Sequence, residues 1–135
     1  MALLTWNKQC SVGVKTLDGQ HAVLIADLNR TYAAMTKGSA KCGADSHLRN
    51  LLKHALAHFL AEEEMMAATG YPALLQHRAK HLNFVRQVQG YLARCKDGDK
   101  TMHLPLLNFI RDWLTNHIQE EDREYAPWLN KHCAR

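Results

Sequence analysis

Between His58 and His81 the chain reads His58-Phe59-Leu60-Ala61-Glu62-Glu63-Glu64, then Gly70-Tyr71-Pro72, then His77-Arg78-Ala79-Lys80-His81. This stretch restricts the fold more than any other. An α-helix repeats about every 3.6 residues, so side chains four apart stack on one face. His58 and Glu62 form such a pair, and so do His77 and His81. Glycine ends a helix and proline opens one at its first position, so Gly70-Tyr71-Pro72 predicts a tight corner between antiparallel helices. Each helix then presents two potential metal ligands to the other.

The rest of the chain supplies two more helices. Asp18 is a good N-cap, and His21, Ile25, Leu28, Tyr32 and Met35 after it step by four and three, the seam of a bundle helix. Asp45 or Ser46 caps the second helix, whose seam is Leu48, Leu51, Ala55, His58, Glu62 and Met65. The third continues from Leu74 through His77, His81, Phe84, Val88, Tyr91 and Cys95. Pro105 opens the fourth, with Leu107, Ile110, Leu114 and His117 inward, and Pro127 disturbs or ends it. Four amphipathic segments with short loops predict an all-α, up-down-up-down four-helix bundle. We expect one domain over residues 1–135: an N-terminal arm over 1–17 anchored by Trp6, the bundle over 18–130, and a tail over 131–135.

Charge and unpaired imidazole are costly in a bundle core. Yet the seams carry His21, His58, Glu62, His77, His81 and His117, with Glu121 and Asp122 just beyond. A lone core histidine is usually structural; five with a carboxylate, spread over four seams, require something positive between them. At about 1.5 Å per residue, His58 lies about 18 Å from the Gly70 corner and His77 and His81 roughly 10–17 Å from it, so they share one slab of the bundle. Five imidazoles and two carboxylates are too many for one zinc and too nitrogen-rich for calcium or magnesium. No cysteine joins them, which excludes an iron–sulfur cluster. Two carboxylate-bridged iron ions fit the count and the ligand softness. A nitrogen-rich set bridges less and stabilises high-valent iron less, which favours reversible dioxygen binding over activation.

Composition narrows the setting. The net charge of +4 is dispersed, without the basic stripe of a nucleic-acid binder. No apolar run is long enough for an integral membrane segment, and the first ten residues lack an export signal. Cys10, Cys42, Cys95 and Cys133 form no C-x-x-C and read as reduced thiols, so we expect a cytoplasmic protein.

Several pieces match a family in order: Trp6, Ser11-Val12-Gly13, Asp18-x-Gln20-His21, His58-Phe59-x-x-Glu62-Glu63, Tyr71-Pro72, His77-x-x-x-His81-x-x-Phe84, Trp113-Leu114-x-x-His117-Ile118 and Asp122-x-x-Tyr125. On these residues, which span nearly the whole chain, it resembles the hemerythrins, single-domain bacteriohemerythrins above all. The resemblance implies an oxygen-binding protein rather than an enzyme, with two iron ions joined by an oxo or hydroxo bridge. It implies His77, His81 and His117 on one iron, His21 and His58 on the other, and Glu62 and Asp122 bridging. It also implies that Leu114 flanks the dioxygen pocket; Leu24 and Ile25, one turn after His21, could wall the same cavity or be ordinary core. An oxygen-consuming protein is a candidate recipient. A di-iron oxidase or peroxidase, or a sensing module acting through a partner, are the competing readings.

Two positions set spacing against resemblance. His54 stands where the family often carries tyrosine, and we expect it to support a ligand rather than to be one. On the fourth helix, plain spacing favours Glu121, about 40° from His117, over Asp122, about 140° away. The resemblance favours Asp122. We expect Asp122, reached through an irregular or widened turn after His117, because π-type turns collect at functional sites.

Overall fold

The structure is a computed structural model that describes residues 15–36, 46–96 and 103–131. The expected arm with Trp6, the loops at 37–45 and 97–102, and residues 132–135 lie outside it. Helix α1 spans Lys15–Thr36, α2 Ser46–Thr69, α3 Leu74–Lys96 and α4 His103–Asn116. A π-helical segment, His117–Glu121, leads directly into α5, Asp122–Lys131. The last three form one interrupted rod, so the architecture is the expected up-down-up-down four-helix bundle, with α1 against α2 and α4, and α3 against α2 and α4. Among the described residues there is no strand, and no helix is long and apolar enough to cross a membrane.

The α2–α3 corner is built by glycine. Gly70 has φ of 70°, Tyr71 N–H donates to the Met66 carbonyl at 2.8 Å and Gly70 N–H to the Ala67 carbonyl at 3.2 Å. These two bonds make a Schellman cap, which satisfies carbonyls that the helix end would otherwise leave bare. Pro72 does not open α3 as expected. It follows Tyr71 in a turn closed by Leu74 N–H to the Tyr71 carbonyl at 3.3 Å, where its fixed φ suits the second turn position.

Three further boundaries differ from expectation. α1 starts at Lys15, so Asp18 lies in its first turn rather than capping it, and residues 15–17 belong to the bundle. Leu17, fully buried among Met66, Tyr125 and Ala126, holds that extra turn down. Pro105 sits inside the first turn of α4 rather than at its start, where a missing N–H leaves no bond unmade. Pro127 does not end the helix: α5 runs through it to Lys131. Tyr125 and Ala126 are buried, and the Trp128 indole donates to Thr69 Oγ1 at 3.1 Å, so packing carries the helix past the proline.

The interior has two apolar clusters. The larger includes Leu24, Ile25, Leu28, Leu51, Phe59, Phe84, Ile110, Leu114 and Ile118. The smaller, Leu17, Met66, Tyr125 and Ala126, lies at the α2–α3 corner. Between them sits a polar slab: His81 stacks on Phe59 of the large cluster, rings 4.1 Å apart, and His77 meets Tyr125 of the small one at 5.2 Å.

Candidate metal centre

Each seam contributes to that slab. α1 supplies His21; α2 supplies His58 and Glu62 one turn apart; α3 supplies His77 and His81; and the π segment begins with His117. All six side chains are buried, none more than 5% exposed. Their ligand atoms fall into two groups, each with all members within 4.8 Å of one another: His21, His58 and Glu62; and Glu62, His77, His81 and His117. Glu62 belongs to both.

The ring nitrogens converge. His21 Nε2 and His58 Nε2 face each other at 2.9 Å, and His81 Nε2 and His117 Nε2 at 3.2 Å. Two imidazole nitrogens this close can share one proton or one cation between their lone pairs. Glu62 stands between the groups. Its Oε1 meets His58 Nε2 and lies 3.4 Å from His117 Nε2 and 3.9 Å from His21 Nε2. Its Oε2 lies 2.9 Å from His77 Nε2 and 3.7 Å from His81 Nε2. Burial alone would push this carboxyl up; the fields of His58 and His117, with hydrogen bonds from His117 and His21, outweigh it and hold Glu62 well below the usual carboxylate range. It is therefore an anion in a buried, nitrogen-rich slab.

Two of the rings are held from behind. His58 Nδ1 donates to the Gln20 carbonyl oxygen at 2.6 Å, and His81 Nδ1 donates to Glu63 Oε2 at 2.9 Å. Glu63 is itself fixed by Arg78 Nε at 2.8 Å. With Nδ1 engaged in this way, Nε2 of each ring faces inward, and a ring protonated at Nδ1 alone offers its Nε2 lone pair there, as a metal-binding histidine does. Imidazole lone pairs around a carboxylate fit iron or another divalent transition metal and do not fit calcium or magnesium.

A family model described as the hemerythrin HHE cation binding domain matches residues 12–129. The chain belongs to the hemerythrin family. It is 30% identical over 132 residues to the bacteriohemerythrin of Stenotrophomonas maltophilia, covering 98% of this chain and 85% of that one. Over 131 residues it is 28% identical to the bacteriohemerythrin of Methylococcus capsulatus, covering 96% and 99%. The crystal structure of a wild-type hemerythrin superposes with a TM-score of 0.67 at 26% identity, over 95% of this chain and 98% of that one.

In this hemerythrin the expected ligand residues His21, His58, Glu62, His77, His81 and His117 come together. The backbone after His117 is π-helical, the widened turn expected there. The side chains of Glu121 and Asp122 lie outside the described residues. Leu24, Ile25 and Leu114 are buried in the large apolar cluster, which also holds Phe59 beside the histidines. His54 is 44% exposed and pairs through Nδ1 with buried Asp27 of α1, which also takes Arg30 Nη1 at 3.1 Å. Gln20 and Glu63 back two of the site histidines, His58 and His81. Both flank a ligand in the chain, but their partners lie on another helix, so periodicity along one helix did not single them out.

Proposed function

We propose that this hemerythrin binds dioxygen reversibly at a pair of iron ions and acts in its storage or delivery in the cytoplasm rather than as an enzyme. One observation carries the reading: among the described residues, five buried imidazoles surround the buried Glu62 carboxylate, and two of them are held through Nδ1 with Nε2 facing inward. Membership of a cation-binding family and the bacteriohemerythrin relatives support it.

In this reading His77, His81 and His117 hold one iron, His21 and His58 the other, and Glu62 and Asp122 bridge. A bound ferrous pair supplies the two electrons that dioxygen takes up and returns. The protein's own part is orientation and exclusion. Gln20 and Glu63 hold two imidazoles in place, and Leu24, Ile25 and Leu114 keep water, and with it protons, from the pocket. The π-helical backbone after His117 supports the choice of Asp122, because a wider turn sets a residue at i+5 nearer the face of residue i than a regular helix does.

The test joins metal content with optical spectroscopy. Iron-loaded protein should hold two irons per chain and develop a visible band in air that disappears on deoxygenation. One metal per chain, or steady dioxygen consumption in the presence of a reductant, would overturn the carrier reading. Asp122→Ala should lose the bridge and weaken iron binding, while Glu121→Ala should leave the spectrum normal; the reverse would return the bridge to Glu121.

A further inference from the structure

Between α1 and α2 the surface opens into a cleft of about 330 Å³, lined by Gly19, Gln20, Val23, His54, Ala57 and His58. It ends at the metal centre: its floor is the His58 ring, 1% exposed, with the Gln20 amide hydrogen-bonded to it at 2.6 Å. Its walls are the apolar Val23, Ala57 and Gly19. Its mouth carries His54, tethered to Asp27.

Nothing local requires glycine at 19. The residue sits inside α1 without a positive φ, and a Cβ there would meet nothing within 4 Å. Glycine in a helix interior is less stable than alanine, so the helix itself gains nothing from it. What the missing side chain does provide is open space above Gln20.

A second cleft, between α2 and α3, reaches the opposite side of the centre at His81. Its floor is different. Glu63 joins His81 Nδ1 at 2.9 Å and Arg78 Nε at 2.8 Å. Moving that carboxylate breaks two charge-assisted bonds, whereas moving Gln20 breaks one bond to a neutral amide. The α1–α2 floor therefore opens more readily, and between walls that suit a small uncharged molecule.

We propose that dioxygen and other small neutral molecules reach the centre through the α1–α2 cleft by displacing the Gln20 side chain, with the Asp27–His54 pair fixing its mouth. The dioxygen part rests on the function proposed above; the route does not, because nitric oxide, another neutral diatomic, reports on it independently. The experiment uses the full-length, iron-loaded, reduced protein and two variants of matched iron content. Gly19→Phe fills the cleft, and Leu82→Phe places the same side chain at the α2–α3 cleft. Stopped-flow mixing measures association and dissociation of nitric oxide and of dioxygen. Gly19→Phe should slow association and dissociation alike, about tenfold or more, because a plug acting only on passage raises the barrier from both sides. Leu82→Phe should leave the rates unchanged. Slowed nitric oxide with no dioxygen binding in any form would support the route while sinking the carrier reading. Unchanged nitric oxide rates in Gly19→Phe, or slowing by Leu82→Phe instead, would overturn the route.

Discussion

The two sides of the polar slab share Glu62 and little else. One side has two imidazoles, from α1 and α2, and its His58 leans on a neutral amide. The other has three, from α3 and the π segment, and its His81 leans on a carboxylate that an arginine holds. An imidazole that donates to a carboxylate is a stronger electron donor than one that donates to an amide. On the proposed function, the three-histidine side would hold its iron the more tightly and favour higher charge on it. The two-histidine side, poorer in donors and next to the α1–α2 cleft, would on the same proposal keep a position for an exchangeable ligand. The described part of the site is asymmetric both in its imidazoles, two against three, and in the neighbours that support them.

The largest effect should come from the group both sides share. Glu62→Ala should abolish iron binding on both, a loss beyond the roughly 10–100-fold attached to outer partners. Elemental analysis finding one iron still bound would mean that the sides do not depend on a common carboxylate. Removing one histidine should then separate them. His21→Ala leaves its side a single imidazole, and the protein should keep one iron per chain. His117→Ala leaves two imidazoles and should still load both irons at raised iron concentration. Equal losses in an iron titration would erase the distinction in donor number.

The supporting groups should give the smallest and most informative change. Glu63→Gln should weaken the three-histidine side and Gln20→Ala the two-histidine side, each about 10–100-fold, with the larger loss for Glu63 because its bond is charge-assisted. Chelator competition separates the two affinities. Gln20→Glu should narrow the gap between the sides; an unchanged gap would place the asymmetry in ligand count alone.

Periodicity revealed much of this arrangement in advance. His58 with Glu62 and His77 with His81 are local pairs whose spacing forces a common face, and burial of the seams brings His21 and His117 to them. The tension between Glu121 and Asp122 as neighbours of His117 also pointed to an irregular turn, and the π segment is there. What stayed hidden depends on contacts between helices. Gln20 and Glu63 lie one residue from a ligand along the chain, but their roles appear only when His58 approaches α1 and His81 approaches α2. The pairing of His54 is hidden for the same reason: its partner Asp27 is on α1. The helix limits at Lys15 and beyond Pro127 were likewise set by burial of Leu17, Tyr125 and Ala126, which outweighed the local signals of Asp18 and proline.

The π segment also explains how the last rod keeps its two ends in step. His117 and Tyr125 are eight residues apart, which in a regular helix would leave them about 80° out of alignment. Both are nonetheless buried, and both rings approach His77, at 5.0 and 5.2 Å. The rod behaves as a heptad repeat into which one residue has been inserted, with the surplus absorbed in a single wide turn. A chain lacking half-buried Gln119 would set His117 and the tyrosine seven apart, within about 20° on an ordinary helix. Such a shortened chain would gain a regular backbone ladder, and the residue now at 122 would follow His117 by four. The single π turn thus carries the surplus residue while His117 and Tyr125 both stay on the buried side of the rod.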